Sequence, residues 1–185
     1  MKWLKRFRQS PKKRHGLGQI EVTVSSVIVG TLMVASLTVI ASSRRSQIFE
    51  SNRVRGLAIA NAMMSEIAQL PMRDPSCDCG FGLESGESSA TRSNHDDVDD
   101  YRSWVDSPAK SKSGAALTGY SDLSRRIEVD HITTADWRTT SSNYTGVYRV
   151  TVVVLSGTRE VCRLVGYRTS GSSGTTVITE TSSLN

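Results

Sequence analysis

The sequence predicts an α+β fold in which one long N-terminal helix, half membrane-spanning and half amphipathic, packs on a small antiparallel β-sheet. Three observations carry that prediction. From Val22 to Ala41 the chain runs for 20 residues without a charge, about what a helix needs to cross ~30 Å of hydrocarbon. Leu57, Ala60, Met64, Ile67 and Ala68 then recur at helical spacing and stop before Pro71, which disfavours helix in the residue before it. Beyond Arg125 the pattern changes to the alternation and β-branched richness of strands.

In chain order, residues 1–16 read as a basic leader, 17–70 as the helix with its membrane span at about 22–41, 71–123 as an irregular region, and 124–185 as an antiparallel sheet head with a flexible tail. Met63 and Met64 read as gap-filling core, and Gly56 as a tolerated weak point of the helix. Residues 71–123 are rich in Ser, Gly, Asp and Pro, with no periodic apolar pattern. Ile127 and Val129 alternate with Arg126, Glu128 and Asp130 as a strand, and Val147–Leu155 and Glu160–Arg168 flank S-G-T-R as a hairpin. A short strand is expected at Thr176–Thr179 in a tail otherwise dominated by Ser, Thr and Gly. A sheet with one apolar face must be covered, and the stripe from Leu57 to Ala68 is the surface available to cover it.

The net charge of +5 and pI near 9.3 could point to nucleic acid, but residues 1–16 hold seven Lys and Arg and no acid. Without them 16 basic residues face 18 acidic ones, a net charge of −2. The basicity therefore belongs to the leader as a topology signal, and no nucleic-acid partner is expected. Arg44, Arg45, Arg53 and Arg55 lie on the far flank of the apolar run, so the bias, seven charges against four, favours a cytoplasmic N-terminus. The apolar segment follows the leader, the reverse of a secretory signal peptide, and would survive removal of the leader.

At the boundary of that segment stands one carboxylate, Glu21, five residues after Gly16. Gly16, four residues, Glu21 and a long apolar helix together resemble the class III signal of type IV pilins and of the pseudopilins of type II secretion, commonly written G-F-T-L-I-E. Ile20, Glu21 and Val22 match that pattern and Gly16 matches the residue before the cut, while Leu17, Gly18 and Gln19 depart from it. The segments M-S-E-I-A-Q-L-P and D-D-V-D-D-Y are similar to stretches of minor pilins of the mannose-sensitive haemagglutinin and pilus-modification groups. The resemblance implies that a prepilin peptidase cuts between Gly16 and Leu17 and that Leu17 is N-methylated. It further implies that an assembly ATPase and a platform membrane protein draw the helix out of the inner membrane into a filament of other pilin or pseudopilin subunits. On that reading the chain is the substrate of an enzyme and not itself one, and its C-terminal part is extracytoplasmic. Two rivals are an uncut signal-anchored binding or sensor module and a membrane-tethered hydrolase using His95 or His131.

Two further constellations could carry chemistry. Asp96, Asp97, Asp99 and Asp100 fall within five residues, and hard oxygen ligands in a flexible loop suit Ca²⁺. The spacing is not that of an EF-hand, and a solvated loop or capping turn paired with Arg92 or Arg102 is the commoner outcome for such a run. Cys77, Cys79 and Cys162 would lie where disulfides persist. Their odd number leaves one unpaired within a single chain, and a bridge from Cys77 or Cys79 to Cys162 is preferred to a Cys77–Cys79 ring. The C-x-C spacing argues against zinc held by these thiols with His95 or His131. Neither G-x-S-x-G, a Walker loop nor H-E-x-x-H occurs.

Overall fold

The structure is a computed structural model that describes residues 18–74, 80–170 and 176–178. The leader, Gly16, Leu17, Cys77, Cys79 and most of the tail lie outside the described residues. The chain divides into two units, Met1–Ser46 and Gln47–Asn185.

One helix, α1 (Gln19–Ala68), occupies nearly the whole stretch that periodicity marks as helical. Its first turn closes through Gly18, whose carbonyl accepts from the Glu21 and Val22 amides. Within the first unit the helix is exposed on every side, Ile20, Val27, Leu32, Leu37 and Val39 included, and it carries no charge from Val22 to Ala41. By length and composition it is able to cross a membrane. The hydroxyls in this stretch bond back to helix carbonyls: Thr23 Oγ1 donates to Ile20 at 2.8 Å, Ser26 to Thr23, Thr31 to Ile28, Ser36 to Leu32 and Thr38 to Ala35. Each thereby satisfies its donor within the helix, the condition for a polar side chain in hydrocarbon.

In the second unit the same helix acquires one buried stripe, Gly56, Ile59, Ala60, Met63, Met64 and Ile67, the i, i+3, i+4, i+7 recurrence of a core-facing helix. The stripe is turned slightly from the one periodicity suggests. Leu57 is exposed, and Gly56 takes a core position. The expectation that Gly56 is merely a weak point is therefore corrected: a Cβ there would lie 3.1 Å from Val161 Cγ2 and 3.3 Å from Cys162 Cβ. The missing side chain lets helix and sheet approach, which helical propensity alone does not register.

The sheet is an antiparallel meander of β1 (Val105–Asp106), β2 (Leu123–His131), β3 (Val147–Ser156), β4 (Arg159–Thr169) and β5 (Thr176–Ile178), paired in sequence order. Ile127 faces Val152 and Val129 faces Val150 across the β2–β3 pair, so one face carries an apolar set, interrupted on β2 by the buried Arg125, that joins the helix stripe in a single core with Leu123, Val154 and Leu164. On the other face the buried Val153 lies between Arg126 and Arg163 in the cross-strand register, where the long stems of arginines can cover apolar surface. The β3–β4 hairpin turns in two residues with Gly157 at φ +61°, the positive angle that a type II′ turn requires at its first central residue. The last helical turn is closed from the sheet: the Arg168 guanidinium on β4 donates to the Ala68 carbonyl and, at 2.7 Å, to that of Leu70. A cation there also suits the negative end of the helix dipole.

The described residues of 71–123 contain little regular structure, as the composition implies, but they are not loose. A 3₁₀ turn (Asp99–Tyr101) and β1 sit in this region, and Val98, Tyr101, Trp104 and Ala109 belong to the core.

The close approach at Gly56 is testable in the full chain in detergent by denaturant unfolding. Gly56→Val should destabilise it by about 1–3 kcal/mol through overpacking against Val161, whereas Ala58→Val, on the exposed face, should cost no more than about 0.7 kcal/mol of helical propensity. Equal costs for the two would contradict the packing described.

Candidate functional site

Four features of the sequence expectation can be located: Glu21, Cys162, the acidic run and the two histidines outside the leader. Glu21 lies on the exposed helix and, among the described residues, has no ion pair. Cys162 is half-buried at the helix–sheet seam near Gly56, without a disulfide partner among the described residues, and burial pushes its thiol pKa up. The proposed pairing with Cys77 or Cys79 lies outside the described residues.

The acidic run is folded inward. Val98 N–H donates to the Pro71 carbonyl at 3.1 Å, fixing the run beside the end of α1. Asp97 Oδ1 accepts from the Asp99 and Asp100 amides at 2.9 and 3.2 Å, a turn closed by a side chain. Asp100 Oδ2 in turn accepts from the amides of Asp96 and Asp97, and Asp99 Oδ2 accepts from Gly82 N–H at 2.9 Å. Asp97, Asp99 and Asp100 are buried while Asp96 is exposed. The solvated loop is thus corrected, and so is its pairing. Arg92 instead bonds Glu66 at 3.0 Å and Asp106 at 3.3 Å, and the Arg102 guanidinium lies 4.8 Å from the centre of the Phe81 ring.

What faces the buried aspartates is a pair of carboxylates outside the run, Glu84 and Glu87. They belong to the turn E-S-G-E, in which the Glu87 amide donates to the Glu84 carbonyl and Gly86 supplies φ +106° at the third position, as a type II turn requires. Carboxylate oxygens of Glu84, Asp97 and Asp99 lie within 4.8 Å of one another, and so do those of Glu84, Glu87 and Asp100. The four-aspartate set expected from the run loses Asp96 and gains two glutamates. The missed signal was the spacing of Glu84 and Glu87 around a turn glycine in the same acid-rich region; nothing local to the run itself betrays that the two segments meet.

Burial, followed by the charges of Asp99 and Asp100, pushes the Asp97 pKa up to about 7. Burial and the neighbouring Glu87 push Glu84 up to about 8. Asp99 and Asp100 are raised as well, burial first.

Beside this cluster a cleft of ≈ 300 Å³ is lined by Arg73, Phe81, Asp99, His131, Tyr144 and Tyr148 among others. His131 ends the inner face of β2 with its ring centroid 4.1 Å from that of Phe81 and 4.9 Å from that of Tyr148. Burial lowers its pKa. His95 is buried edge-on to Tyr101 and Trp104, its Nε2 3.2 Å from the Ser88 carbonyl oxygen, an arrangement that uses Nε2–H as donor. Among the described residues neither histidine bonds a serine hydroxyl.

Comparison of the chain with protein-family models, with curated proteins and with solved structures returns no match in any of the three.

The raised acids give a signed pH dependence. An acid whose folded pKa lies above its unfolded value holds extra protons in the folded state between the two, so stability falls as pH rises across that window. For Asp97 and Glu84, facing Glu87, Asp99 and Asp100 with His131 beyond, the window runs from about 4 to about 8. Burial lowers the pKa of His95 and His131, whose titration acts in the opposite sense, so the unaltered chain is compared with Asp97→Asn. In EDTA and detergent the variant should gain melting temperature relative to the unaltered chain as pH rises from 5.5 to 8, and an identical pH dependence of the two would contradict the burial of the cluster.

Proposed function

We propose that the chain is a pilin-like structural subunit, a minor pilin or pseudopilin, built into a type IV pilus or a type II secretion pseudopilus. One observation carries the reading: an exposed, uncharged and mostly apolar helical stretch continues, in the same helix, into the core stripe of a head with its own sheet. Before assembly that stretch needs lipid; afterwards it needs the equivalent helices of other subunits. The two environments are alike in excluding water. The seven cations of the leader and the Gly16–Glu21 spacing support the rest of the proposal. The precursor lies in the cytoplasmic (inner) membrane with its N-terminus inside and its head outside. A prepilin peptidase removes residues 1–16 and methylates Leu17, and an assembly ATPase with a platform membrane protein drives the mature helix into the filament.

Glu21 has a role in this scheme that a simple anchor does not offer it. Cleavage creates a new cation, the Leu17 amine, and in a bundle of helices the amine of an incoming subunit pairs with Glu21 of a neighbour. Deleting one partner of an ion pair in so apolar a setting costs about 3–5 kcal/mol because the other charge is left stranded. Glu21→Gln, which keeps shape without charge, and Glu21→Val should therefore both leave the precursor in the membrane and cleaved, yet deplete it from the sheared-filament fraction at least tenfold. Normal incorporation of both variants would sink the pairing mechanism.

A further inference from the structure

The carboxylate cluster supports an inference that does not depend on how the apolar helix is used. Asp97, Asp99 and Asp100 are 1%, 3% and 1% exposed. Asp99 and Asp100 each commit Oδ2 to backbone amides and keep a buried Oδ1 with no hydrogen-bond partner. A buried acceptor left without a donor is costly, and a buried carboxylate oxygen more so. Among the described residues none of Glu84, Glu87, Asp97, Asp99 and Asp100 is salt-bridged. Arg92 is paired with Glu66 and Asp106 and Arg125 with Asp106, the Arg102 guanidinium lies over the Phe81 ring, and Arg73 lines the cleft beside Asp99. Five acids therefore meet in two adjoining groups with two buried oxygens that no hydrogen bond reaches and, among the described residues, no salt-bridged cation, an arrangement that a bound cation completes.

We propose that the cluster is a Ca²⁺ site, with Asp97, Asp99 and Asp100 as its buried floor, Glu84 as the ligand common to both sides and Glu87 at the rim. The spacing fits. Oxygens bound to one Ca²⁺ at ~2.3–2.6 Å lie no more than about 5 Å apart, and within each of the two triads that share Glu84 the carboxylate oxygens span at most 4.8 Å, so either triad has the spacing to hold an ion, with Glu84 common to both. Among the described residues the carboxylates that meet include no histidine or cysteine, so this ligand set is hard oxygen alone. The ligands stand on two irregular segments, Gly82–Glu87 and Asp97–Tyr101, a backbone that suits the variable coordination of Ca²⁺ better than the strict octahedron of Mg²⁺. Half-buried Glu84 and Glu87 leave the ion a route in from solvent. The ion would hold together two segments that the sequence separates and that no regular secondary structure joins.

The test uses the full chain in detergent, stripped with EDTA and kept at pH 7.5. Tb³⁺ should bind with luminescence sensitised through Tyr101 and Trp104, and Ca²⁺ should displace it. At a hundredfold excess over its dissociation constant Ca²⁺ should raise the melting temperature by about 5–10 °C, and Mg²⁺ at equal concentration by much less. The double variant Glu84→Gln/Asp97→Asn should lose affinity for Ca²⁺ about a hundredfold, yet melt in EDTA no lower than the unaltered chain, because two mutually repelling acids have gone. Should that variant fail to fold, Glu87→Gln at the rim should still lower affinity about tenfold. Identical melting curves in EDTA and in millimolar Ca²⁺ would overturn the site, as would a Mg²⁺ response equal to that of Ca²⁺ or unchanged Ca²⁺ affinity in the variants.

Discussion

One helix has to satisfy two solvents. Between Val22 and Ala41 its side chains are uncharged, mostly apolar and exposed, while from Arg55 to Gln69 only one stripe is buried and the remaining faces carry Arg55, Asn61, Ser65 and Gln69. A helix hydrophobic on every side belongs in lipid or in a bundle, and one with a single stripe belongs on a sheet. The sheet of this chain is matched to the second half alone, since its inner face is filled by Ile59, Ala60, Met63, Met64 and Ile67. The first half is, by length and composition, a candidate membrane span.

A second constraint holds the irregular region against that helix and sheet. Arg125 stands on the inner face of β2, where its neighbours Leu123 and Ile127 are core residues, and its guanidinium grips Asp106 of β1 with bonds of 3.2 and 2.6 Å. Arg92 reaches the same carboxylate and extends to Glu66 of α1, which also accepts from the Tyr101 hydroxyl at 2.8 Å. Burial pushes the Glu66 pKa up, but the Arg92 and Tyr101 bonds outweigh it and hold the carboxyl below its ordinary value. Both guanidiniums also donate to the Lys110 carbonyl. Such a network is weak evidence for stability, because the charges had to be desolvated. Its contribution is geometric: helix, loop and strand meet in one hydrogen-bonded arrangement, and the acidic turn at Asp97–Tyr101 inherits its position from it.

Local patterns explain why the fold was largely legible. The span, the amphipathic continuation and the strands of the hairpin are encoded by neighbours in sequence: an uncharged run, a recurrence near 3.6 and an alternation of two. Thr176–Ile178 was legible for the same reason. What periodicity could not supply was contact between distant segments. Gly56 reads as a flaw until Val161 and Cys162 are set against it, and Arg125 reads as the polar edge of a strand until Asp106 is placed beside it. The acidic run was visible, but its burial and the addition of Glu84 and Glu87 depend on a loop whose closure no local signal specifies. Glu21 was found by chemistry rather than pattern, as the lone carboxylate abutting an apolar run.

The central claim is that the apolar half-helix is retained as the functional N-terminus after the leader has gone. Intact-mass and N-terminal peptide mass spectrometry of the native protein from membranes measures that directly. The account predicts a chain that begins at Leu17 and carries one N-methyl group. A mature protein that still begins at Met1 with the basic leader in place would contradict it, and would leave a signal-anchored head in its stead.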